Sequence, residues 1–287
     1  MPELPEVESV RTQLSKKITP RLKVREVLFF RKDLRFPISV KVKSTMNSRE
    51  RLGPLLGIER RAKYLLFKFQ SGYFLSHLGM TGSWREVAPD EPRGLHDHIL
   101  IHFENETAWM YNDPRRFGYV DWVEDLTEHP LLKHLAPEPL NPEFSKSYLV
   151  DTCRRKKVSI KSLIMDQRRV VGVGNIYASE ALFRAGIRPT RMAGRIRPNE
   201  LERLVQSIKQ VLSEAIEHGG STVKDFKGAD GYAGRFQSRL FVYDRAGGNC
   251  RKCESKIVSK QLGGRSTYWC PVCQPSTGLT SNRDSEK

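Results

Sequence analysis

Four of the five cysteines in this sequence are spaced as metal ligands. Cys250 and Cys253 form one C-x-x-C pair, and Cys270 and Cys273 form a second pair after sixteen intervening residues. This spacing is typical of a four-thiolate zinc site, in which no coordination position stays open, so the metal has a structural role. Disulfides or a redox C-x-x-C pair are the alternatives, which a reducing cytoplasm and the lack of a βαβ pattern disfavour. The remaining Cys153 is predicted to be a plain thiol.

The segment between the two cysteine pairs predicts a β-hairpin with an arginine at its tip. Gly263-Gly264 has the composition of a two-residue turn, and the segments KIVSKQL and RSTYW flank it. At about 3.3 Å per residue, Arg265 lies roughly 16 Å from the zinc end of the hairpin. From that position it can enter a groove of a nucleic acid. An ordinary surface arginine is the alternative.

Residues 166–189 predict a helix end, a glycine-containing turn and a second helix. Backbone N–H groups of Gly172 to Asn175 would then lie at a helix N-terminus, where phosphate binds well. A simple packing turn between the two helices is the alternative. The basic run 153–161 opens the preceding helix, which is electrostatically unfavourable unless an anion offsets it.

Several residues of the N-terminal half could bind or react, although each also has an ordinary explanation. Lys63 directly precedes a buried strand, where a lysine often prevents edge pairing. Met80 follows a strand and would normally belong to the core. The motif DPRRFG places Arg115 and Phe117 in a strand connection. The sequence HDH at 96–98 is expected to be structural unless it binds metal, and no third ligand shares its spacing.

The elements that carry these residues change type along the chain. An amphipathic helix begins at Pro5, with Val7, Val10, Leu14 and Ile18 at helical spacing. Short strands follow over 64–124, which predicts an antiparallel sandwich or barrel. The proline-rich stretch 134–144 marks a domain boundary. Beyond it, residues 198–218 predict a long helix with one apolar face that belongs to the core.

The charge of the chain indicates a polyanionic partner. Forty-nine Lys and Arg residues against 33 Asp and Glu give a net charge of +16 and a pI near 9.8. Residues 1–150 contribute 23 basic and 20 acidic groups, and residues 151–287 contribute 26 and 13, so the excess lies in the C-terminal half. A solvated basic surface is the alternative. No long apolar run or signal peptide is present, which predicts a cytoplasmic protein without a membrane span.

Taken together, six blocks of this sequence resemble the bacterial formamidopyrimidine-DNA glycosylases, the MutM branch of the helix-two-turn-helix repair enzymes. The blocks are MPELPEVE, RRAKYL, HLGMTG, DPRRFG, VVGVGNIYASE and the C-terminal C-x-x-C pair. The resemblance extends from Met1 to about Gln274 and is weak over 21–60.

The resemblance implies an α+β multidomain fold. An N-terminal antiparallel β-sandwich with an N-terminal helix would occupy 1–134 and carry the catalytic residues, followed by a linker at 135–145. A helical domain with the helix-two-turn-helix motif would occupy 146–240, and a zinc finger with a zinc-ribbon β-hairpin 241–274. Residues 275–287 are expected to form a disordered tail.

The same resemblance implies a bifunctional DNA glycosylase/AP lyase that excises oxidised purines, such as 8-oxoguanine and formamidopyrimidines, from duplex DNA in base excision repair. Pro2 would be the nucleophile after removal of Met1, forming a Schiff base that permits β,δ-elimination. Glu3 matches the acid/base carboxylate, Lys63 the proton donor near the phosphate, and Arg265 the arginine that assists the second elimination. Opposing influences of the helix and of the carboxylates leave the pKa of the amine open.

The resemblance also implies a set of DNA contacts. Met80, Arg115 and Phe117 would fill the space left by the extruded base, for which a thioether, a guanidinium and an aromatic wedge are suited. His96 and Lys156 match DNA contacts of the family, and Asn175 matches its phosphate-binding asparagine. The segment 224–236 would cover the extruded base.

Two rival functions stay open on the sequence. The endonuclease VIII branch shares the scaffold and prefers oxidised pyrimidines, but it typically has Gly after the first Glu, where this chain has Leu4. A catalytically silent DNA-binding protein would not need Pro2, Glu3 and Lys63. The expected partner is double-stranded DNA containing oxidised bases, and the expected state is a monomer.

Overall fold

The computed structural model describes residues 1–221 and 234–277. The chain forms two compact units. Unit 1 comprises Met1–His134 and Ala215–Gln237, and unit 2 comprises Leu135–Glu214 and Ser238–Lys287. The greater part of the predicted 224–236 segment and of the predicted 275–287 tail lies outside the described residues. The domain boundaries given above stay a prediction.

Helix α1, Leu4–Ser15, begins unit 1 and is fixed at its start by two carboxylates. Glu3 is the N-cap and forms a capping box with Glu6, which offsets two of the N–H groups that a helix start leaves unpaired. Pro5 stands in the first turn, where its missing N–H has no consequence. The apolar stripe Val7, Val10 and Leu14 is buried, as the spacing predicted.

Unit 1 contains two four-stranded antiparallel sheets. One sheet has the order β1-β6-β7-β5, and the other has the order β2-β3-β4-β8. The strands are β1 Val24–Phe29, β2 Leu55–Arg61, β3 Tyr64–Phe69, β4 Gly72–His77, β5 Ser83–Val87, β6 Asp97–Phe103, β7 Ala108–Asn112 and β8 Tyr119–Val123. Two short helices, α2 Val40–Met46 and α3 Arg49–Leu52, lie between β1 and β2.

Apolar side chains from both sheets and from α1 form one core. Phe67 of β3 contacts Trp84 of β5, with ring centroids 5.4 Å apart, and also packs against Phe74 of β4. Strand β6 is buried at all seven positions, which is why HILIHF has no alternation of apolar and polar residues. The predicted antiparallel sandwich with an N-terminal helix is therefore confirmed.

Unit 2 is helical with one small hairpin. Its helices are α4 Lys146–Cys153, α5 Ile160–Ile164, α6 Asn175–Arg184 and α7 Pro198–Glu217, the last three residues of which belong to unit 1. The hairpin consists of β9 Val258–Leu262 and β10 Arg265–Trp269, joined by Gly263 and Gly264. The mixed α+β class predicted from the sequence is confirmed.

No helix among the described residues is long and apolar enough to cross a membrane.

Candidate active site and zinc centre

The chain start lies in a buried, charged environment. Pro2 and Glu3 are buried, whereas Met1 is 41% exposed. Burial lowers the pKa of the Met1 α-amino group, and Glu3 and Glu6 oppose this effect while Lys63 adds to it. The carboxylates raise the pKa of the amine, as predicted from the sequence, but the stronger, lowering influence is desolvation by burial, which was not predicted.

Glu6 holds the beginning of α1 in place through both of its carboxylate oxygens. Oε2 accepts the backbone N–H of Glu3 at 2.8 Å, and Oε1 accepts the backbone N–H of Ser221 at 2.7 Å. Gly220, at φ +83°, passes so close that an added Cβ would lie 2.8 Å from Glu6 Oε1. A side chain at position 220 would therefore displace the carboxylate that fixes Glu3.

Lys63 lies in the turn between β2 and β3, and a fork from Arg60 links this turn to α1. Arg60 Nε donates to Glu8 Oε2 at 2.8 Å, and Arg60 Nη1 donates to the Ala62 carbonyl at 2.9 Å. Ala62 has a left-handed φ of 53°, and the Lys63 that follows is only 5% exposed. The helix that follows Pro2 and the turn with Lys63 are thus linked by a guanidinium, whose planar geometry suits two acceptors.

His77, at the end of β4, is a candidate site residue that the sequence interpretation did not identify. Burial lowers its pKa to about 4, and the positive charges of Lys63 and Arg35 act in the same direction. Its Nδ1 accepts the backbone N–H of Gly79 at 3.1 Å. His77 is therefore a neutral imidazole near Lys63 at neutral pH. Its place in HLGMTG, before the turn with Met80, was the available signal.

Asp113 joins the two loops that carry Met80, Arg115 and Phe117. Its buried carboxylate accepts the Thr81 hydroxyl at 2.6 Å and the backbone N–H of Gly118 at 2.8 Å. The Thr81 hydroxyl in turn accepts the backbone N–H of Arg115 at 3.2 Å. One carboxylate thereby sets the position of both loops.

The side chains that these loops present are open to solvent. Met80 is 37% exposed and Phe117 is 42% exposed, although both are types usually found in cores. The Arg115 guanidinium carbon lies 4.7 Å from the centre of the Phe117 ring, a cation–π contact. The structure thus brings all three predicted void-filling residues of unit 1 together on neighbouring loops.

The HDH motif separates into one exposed and two structural residues. His96 is exposed. Asp97 is 1% exposed and accepts Arg85 Nη2 at 3.2 Å. His98 Nε2 lies 2.9 Å from the Asp113 carbonyl, and burial lowers the pKa of His98. His98 therefore shows a structural role, as expected, and His96 is the one member of the motif placed for an outside ligand.

In unit 2, a buried lysine connects the glycine turn with the hairpin. Lys161 of α5 is 2% exposed, and its Nζ donates to Asn175 Oδ1 at 2.6 Å, to Thr267 Oγ1 at 2.8 Å and to the Ser266 carbonyl at 3.2 Å. Asn175 Nδ2 also donates to the Ser266 carbonyl at 3.1 Å. The ammonium group of Lys161 thereby connects the start of α6 at Asn175 with the two hairpin residues that follow Arg265.

Lys161 was not identified from the sequence, in which it appeared as part of the basic run 153–161. The apolar residues beside it in IKSLI were the signal in the sequence that this helix faces inward, and Ile160, Leu163 and Ile164 are indeed buried. Lys156, which was identified, is half-buried in the mostly exposed loop between α4 and α5. Its carbonyl accepts the backbone N–H of Gly194 at 3.0 Å, so this loop is fixed.

The four predicted metal ligands converge. The sulfur atoms of Cys250, Cys253, Cys270 and Cys273 all lie within 4.8 Å of one another, and they are the one such metal-binding group among the described residues. The Cys250–Cys273 sulfurs are 3.9 Å apart and the Cys253–Cys270 sulfurs 3.4 Å apart. Tetrahedral zinc with bonds of about 2.3 Å requires sulfur separations of roughly 3.8 Å, so the donor set fits.

The cysteines form a site for one structural zinc ion. Burial raises the pKa of the Cys270 and Cys273 thiols above the ordinary value, so a cation is needed to hold both as thiolates at neutral pH. Bound zinc supplies the cross-link that holds the two chain segments together. Cys153 is separate and buried, and burial raises the pKa of its thiol to about 12, as expected of a plain thiol.

Arg265 is the first residue of β10 and directly follows the two-glycine turn, as predicted. Gly263 and Gly264 have φ values of 57° and 72°, the left-handed conformations that a tight hairpin turn of this kind requires. Arg265 is exposed. The hairpin thus presents an arginine beside its tip, and the cysteines lie at the other end.

Each unit therefore carries its own group of candidate site residues. Unit 1 combines a chain-terminal amine of lowered pKa, a carboxylate, a lysine and an exposed aromatic wedge, which suits nucleophilic and proton-transfer chemistry on a nucleotide. Unit 2 combines a glycine turn at a helix N-terminus with an arginine-tipped zinc hairpin, which suits phosphate binding.

Three family models match this chain in succession. Residues 1–120 match the N-terminal domain of formamidopyrimidine-DNA glycosylase, and residues 135–227 match its helix-two-turn-helix domain. Residues 247–275 match a zinc finger found in that glycosylase and in isoleucyl-tRNA synthetase.

Relatives and solved structures are similar over almost the whole chain. The formamidopyrimidine-DNA glycosylase of Bdellovibrio bacteriovorus is 49% identical, covering 96% of this chain and 100% of the relative. The MutM (Fpg) protein of Thermus thermophilus has a TM-score of 0.83 at 38% identity, covering 95% of this chain and 98% of that one. Lactococcus lactis Fpg in complex with abasic-site DNA has a TM-score of 0.86 at 32% identity, covering 95% and 99%.

Proposed function

The chain belongs to the formamidopyrimidine-DNA glycosylase family, and on this premise we propose that it is a bifunctional DNA glycosylase/AP lyase. It removes oxidised purines, such as 8-oxoguanine and formamidopyrimidines, from duplex DNA in base excision repair. Relatives support the substrate class, since a Lactococcus lactis Fpg variant was solved with DNA containing a formamidopyrimidine lesion.

The observation that carries the proposal is the environment of the chain start. A neutral amine is required for nucleophilic attack, and burial favours the neutral form of the Met1 amine. Removal of Met1 would transfer this role to the secondary amine of Pro2, one residue further into the same buried site. Glu3 and Lys63 lie within electrostatic reach of the amine.

The chemistry proceeds from this amine. The Pro2 nitrogen forms a bond to C1′ of the damaged nucleotide, while the base leaves with the electron pair of the glycosidic bond and takes up a proton. Loss of the amine proton and protonation of O4′, assigned to Glu3, open the sugar and give an iminium ion. Removal of a C2′ proton then expels the 3′ phosphate, and removal of a C4′ proton expels the 5′ phosphate. Water hydrolyses the iminium and restores the amine.

Lys63 and Arg265 are assigned to proton transfer and phosphate departure in these eliminations. Lys63 is positioned by the Arg60 fork described above. Arg265 stands beside the hairpin tip, where a guanidinium can bind a leaving phosphate through two N–H groups. The zinc ion holds this hairpin and takes part in no chemical step.

The remaining predicted residues are assigned to DNA binding. Met80, Arg115 and Phe117 occupy the space of the extruded base, and their exposed positions on neighbouring loops support this role. Asn175 binds a backbone phosphate at the start of α6. Lys156 and His96 contact the DNA backbone.

Borohydride trapping tests the nucleophile. Reduction during reaction with an 8-oxoguanine duplex should give a covalent complex whose modified peptide begins at Pro2. A matched protein with an N-terminal extension that cannot be removed should bind the lesion but neither trap nor cleave. Trapping on a lysine, or cleavage by the extended protein, would contradict the assignment of Pro2.

A second candidate substrate is an oxidised pyrimidine, because Lactococcus lactis Fpg was also solved with DNA containing one. A single-turnover comparison of thymine glycol with 8-oxoguanine opposite each base separates the two. We expect faster excision of 8-oxoguanine, especially opposite cytosine. Faster excision of thymine glycol would favour the pyrimidine function.

The proposal also includes a monomeric, cytoplasmic enzyme. Sedimentation of the free protein checks whether it is a monomer.

A further inference from the structure

Unit 2 contains a cavity that the proposed reaction does not use. It has a volume of about 580 Å³ and lies where four segments meet: the end of α6, the middle of α7, residues 238–241 and the first cysteine pair. Its lining includes two phenylalanines, Phe183 and Phe241, together with several charged side chains. A concave site of this size is in the range that holds a small ligand or a short peptide segment.

The charge of the lining is positive. Arg184 is neutralised by Glu214, to which it donates from both Nη atoms at 2.9 and 2.7 Å. Three further cations, Arg239, Arg251 and Lys252, are exposed and line the same cavity. None of these three has a carboxylate partner within 4.0 Å in the part of the chain that the structure describes. The cavity therefore has an unbalanced charge that favours an acidic ligand.

The floor of the cavity is apolar. The rings of Phe183 and Phe241 stack with centroids 5.3 Å apart, and Lys252 Nζ lies 5.3 Å from the centre of the Phe183 ring. Phe183 is only 1% exposed, so its ring faces are not available for a nucleic-acid base to stack on. A ligand would instead place an apolar side chain beside the half-buried Phe241.

The cavity lies at the far ends of the two elements that carry the proposed DNA contacts of unit 2. Asn175 begins α6 and Phe183 and Arg184 end it, which at 1.5 Å per residue separates the two sites by roughly 13 Å. Arg265 follows the hairpin tip, whereas Arg251 and Lys252 stand between the first two zinc ligands at the other end of that hairpin. The cavity is thus displaced from both contacts, which themselves belong to the proposed function.

We propose that this cavity is a docking site for an acidic segment of a partner protein that carries an apolar side chain. Carboxylates of the segment pair with Arg239, Arg251 and Lys252, and the apolar side chain packs against Phe241. The zinc ion contributes indirectly, because it fixes the loop that presents two of the three cations. The site binds its partner while the enzyme is on DNA.

A labelled probe peptide tests the proposal on the full-length, zinc-loaded protein. The probe is a six-residue peptide with four aspartates, one phenylalanine and one glycine, and anisotropy measures its binding at moderate salt. We expect saturable binding that weakens about tenfold when the aspartates are replaced by asparagine, and several-fold when the phenylalanine is replaced by serine. Absence of binding by the original probe would refute the site.

Charge-reversal variants locate the binding. The double variant Arg239→Glu/Lys252→Glu should weaken probe binding at least tenfold. Lys256→Glu, at an exposed lysine of the same zinc-bearing segment outside the cavity lining, should change it less than twofold. Zinc content and borohydride trapping show that each variant is folded, and Arg239→Gln/Lys252→Gln replaces the first variant if it is not. Equal weakening by Lys256→Glu would show that the binding is unspecific charge attraction.

Competition with DNA distinguishes a protein partner from a nucleic acid. An excess of undamaged duplex DNA should leave the probe bound, because the cavity is displaced from the proposed DNA contacts. If duplex DNA displaced the probe at the concentrations at which the enzyme binds that DNA, the cavity would belong to the DNA-binding surface and the proposal would be overturned. This outcome would leave the catalytic function intact, since trapping at Pro2 is measured separately.

Discussion

Arg60 links the helix that follows the proposed nucleophile Pro2 to the turn that carries Lys63, so its replacement should disturb the position of Lys63 relative to Pro2. Arg60 donates to Glu8 of α1 at 2.8 Å and to the Ala62 carbonyl at 2.9 Å. In Arg60→Lys, a single ammonium replaces the planar fork and cannot reach both acceptors in the same geometry. The helix that follows Pro2 and the turn with Lys63 then lose this shared contact.

The magnitude follows from the burial of the pair. The side chains of Arg60 and Glu8 are 11% and 17% exposed, so this is a largely desolvated ion pair. Loss of one charge-assisted hydrogen bond costs about 1.5–3 kcal/mol. At roughly 2–4 °C per kcal/mol for a unit of this size, the Tm should fall by about 3–12 °C. A displacement of Lys63 by about 1 Å would lower the trapping rate by up to roughly a hundredfold.

The assay combines thermal unfolding with the rate of borohydride trapping on an abasic duplex, measured at one temperature below the Tm found for every variant. Lys68→Gln is the matched control, since it breaks the exposed Lys68–Glu59 pair on the same hairpin. This control should leave both the Tm and the trapping rate unchanged. A lowered Tm for Arg60→Lys with a wild-type trapping rate would refute the positioning role and leave only a structural one.

Three further predictions follow from the described contacts. Asp113→Asn leaves the Thr81 hydroxyl and the Gly118 N–H with only one acceptor oxygen between them. In single-turnover measurements, this variant should slow excision of 8-oxoguanine more than cleavage of a preformed abasic site. Equal slowing of both reactions would argue against a role of Asp113 in base extrusion. Arg115 lowers and Glu3 raises the pKa of the Met1 amine, and we expect the same influences on the Pro2 amine once Met1 is removed. The rising limb of the pH dependence of trapping should therefore move to higher pH in Arg115→Gln and to lower pH in Glu3→Gln. Limbs that coincide with the wild type would contradict this. Cys270→Ser should release the zinc ion and weaken lesion binding while the far-ultraviolet signature of the sandwich persists; full zinc content in this variant would contradict the ligand set.

Much of the candidate site could be predicted from the sequence because its signals are local. Four cysteines at fixed spacing predict a tetrahedral site, since ligand geometry allows few alternatives. Two consecutive glycines predict the hairpin tip and hence the position of Arg265. The capping box of Glu3 and Glu6 was not predicted, although it too is a contact between residues three positions apart. Each of these features depends on residues that are near neighbours in the chain.

The sequence interpretation was weakest over 21–60, where β1, α2, α3 and β2 now complete the sandwich. Lys161 shows a related difficulty. It was part of a basic run that was expected to need an anion to offset its charge, yet the structure buries it against Asn175 and Thr267. A lysine can be buried only if acceptors satisfy its ammonium group, and these acceptors lie on separate elements.

The sequence by itself determined the family, the class of each unit, the zinc ligands and the candidate reactive residues, because these depend on residue type and short-range spacing. Only the tertiary structure decided what holds those residues in place. Glu6 reaches Ser221 across 215 positions, and Arg60 reaches Glu8 across 52. The cavity of unit 2 likewise forms from four segments with no common motif. Such contacts depend on how sheets and helices pack, since a residue's partners across an element boundary are not fixed by its neighbours in the chain.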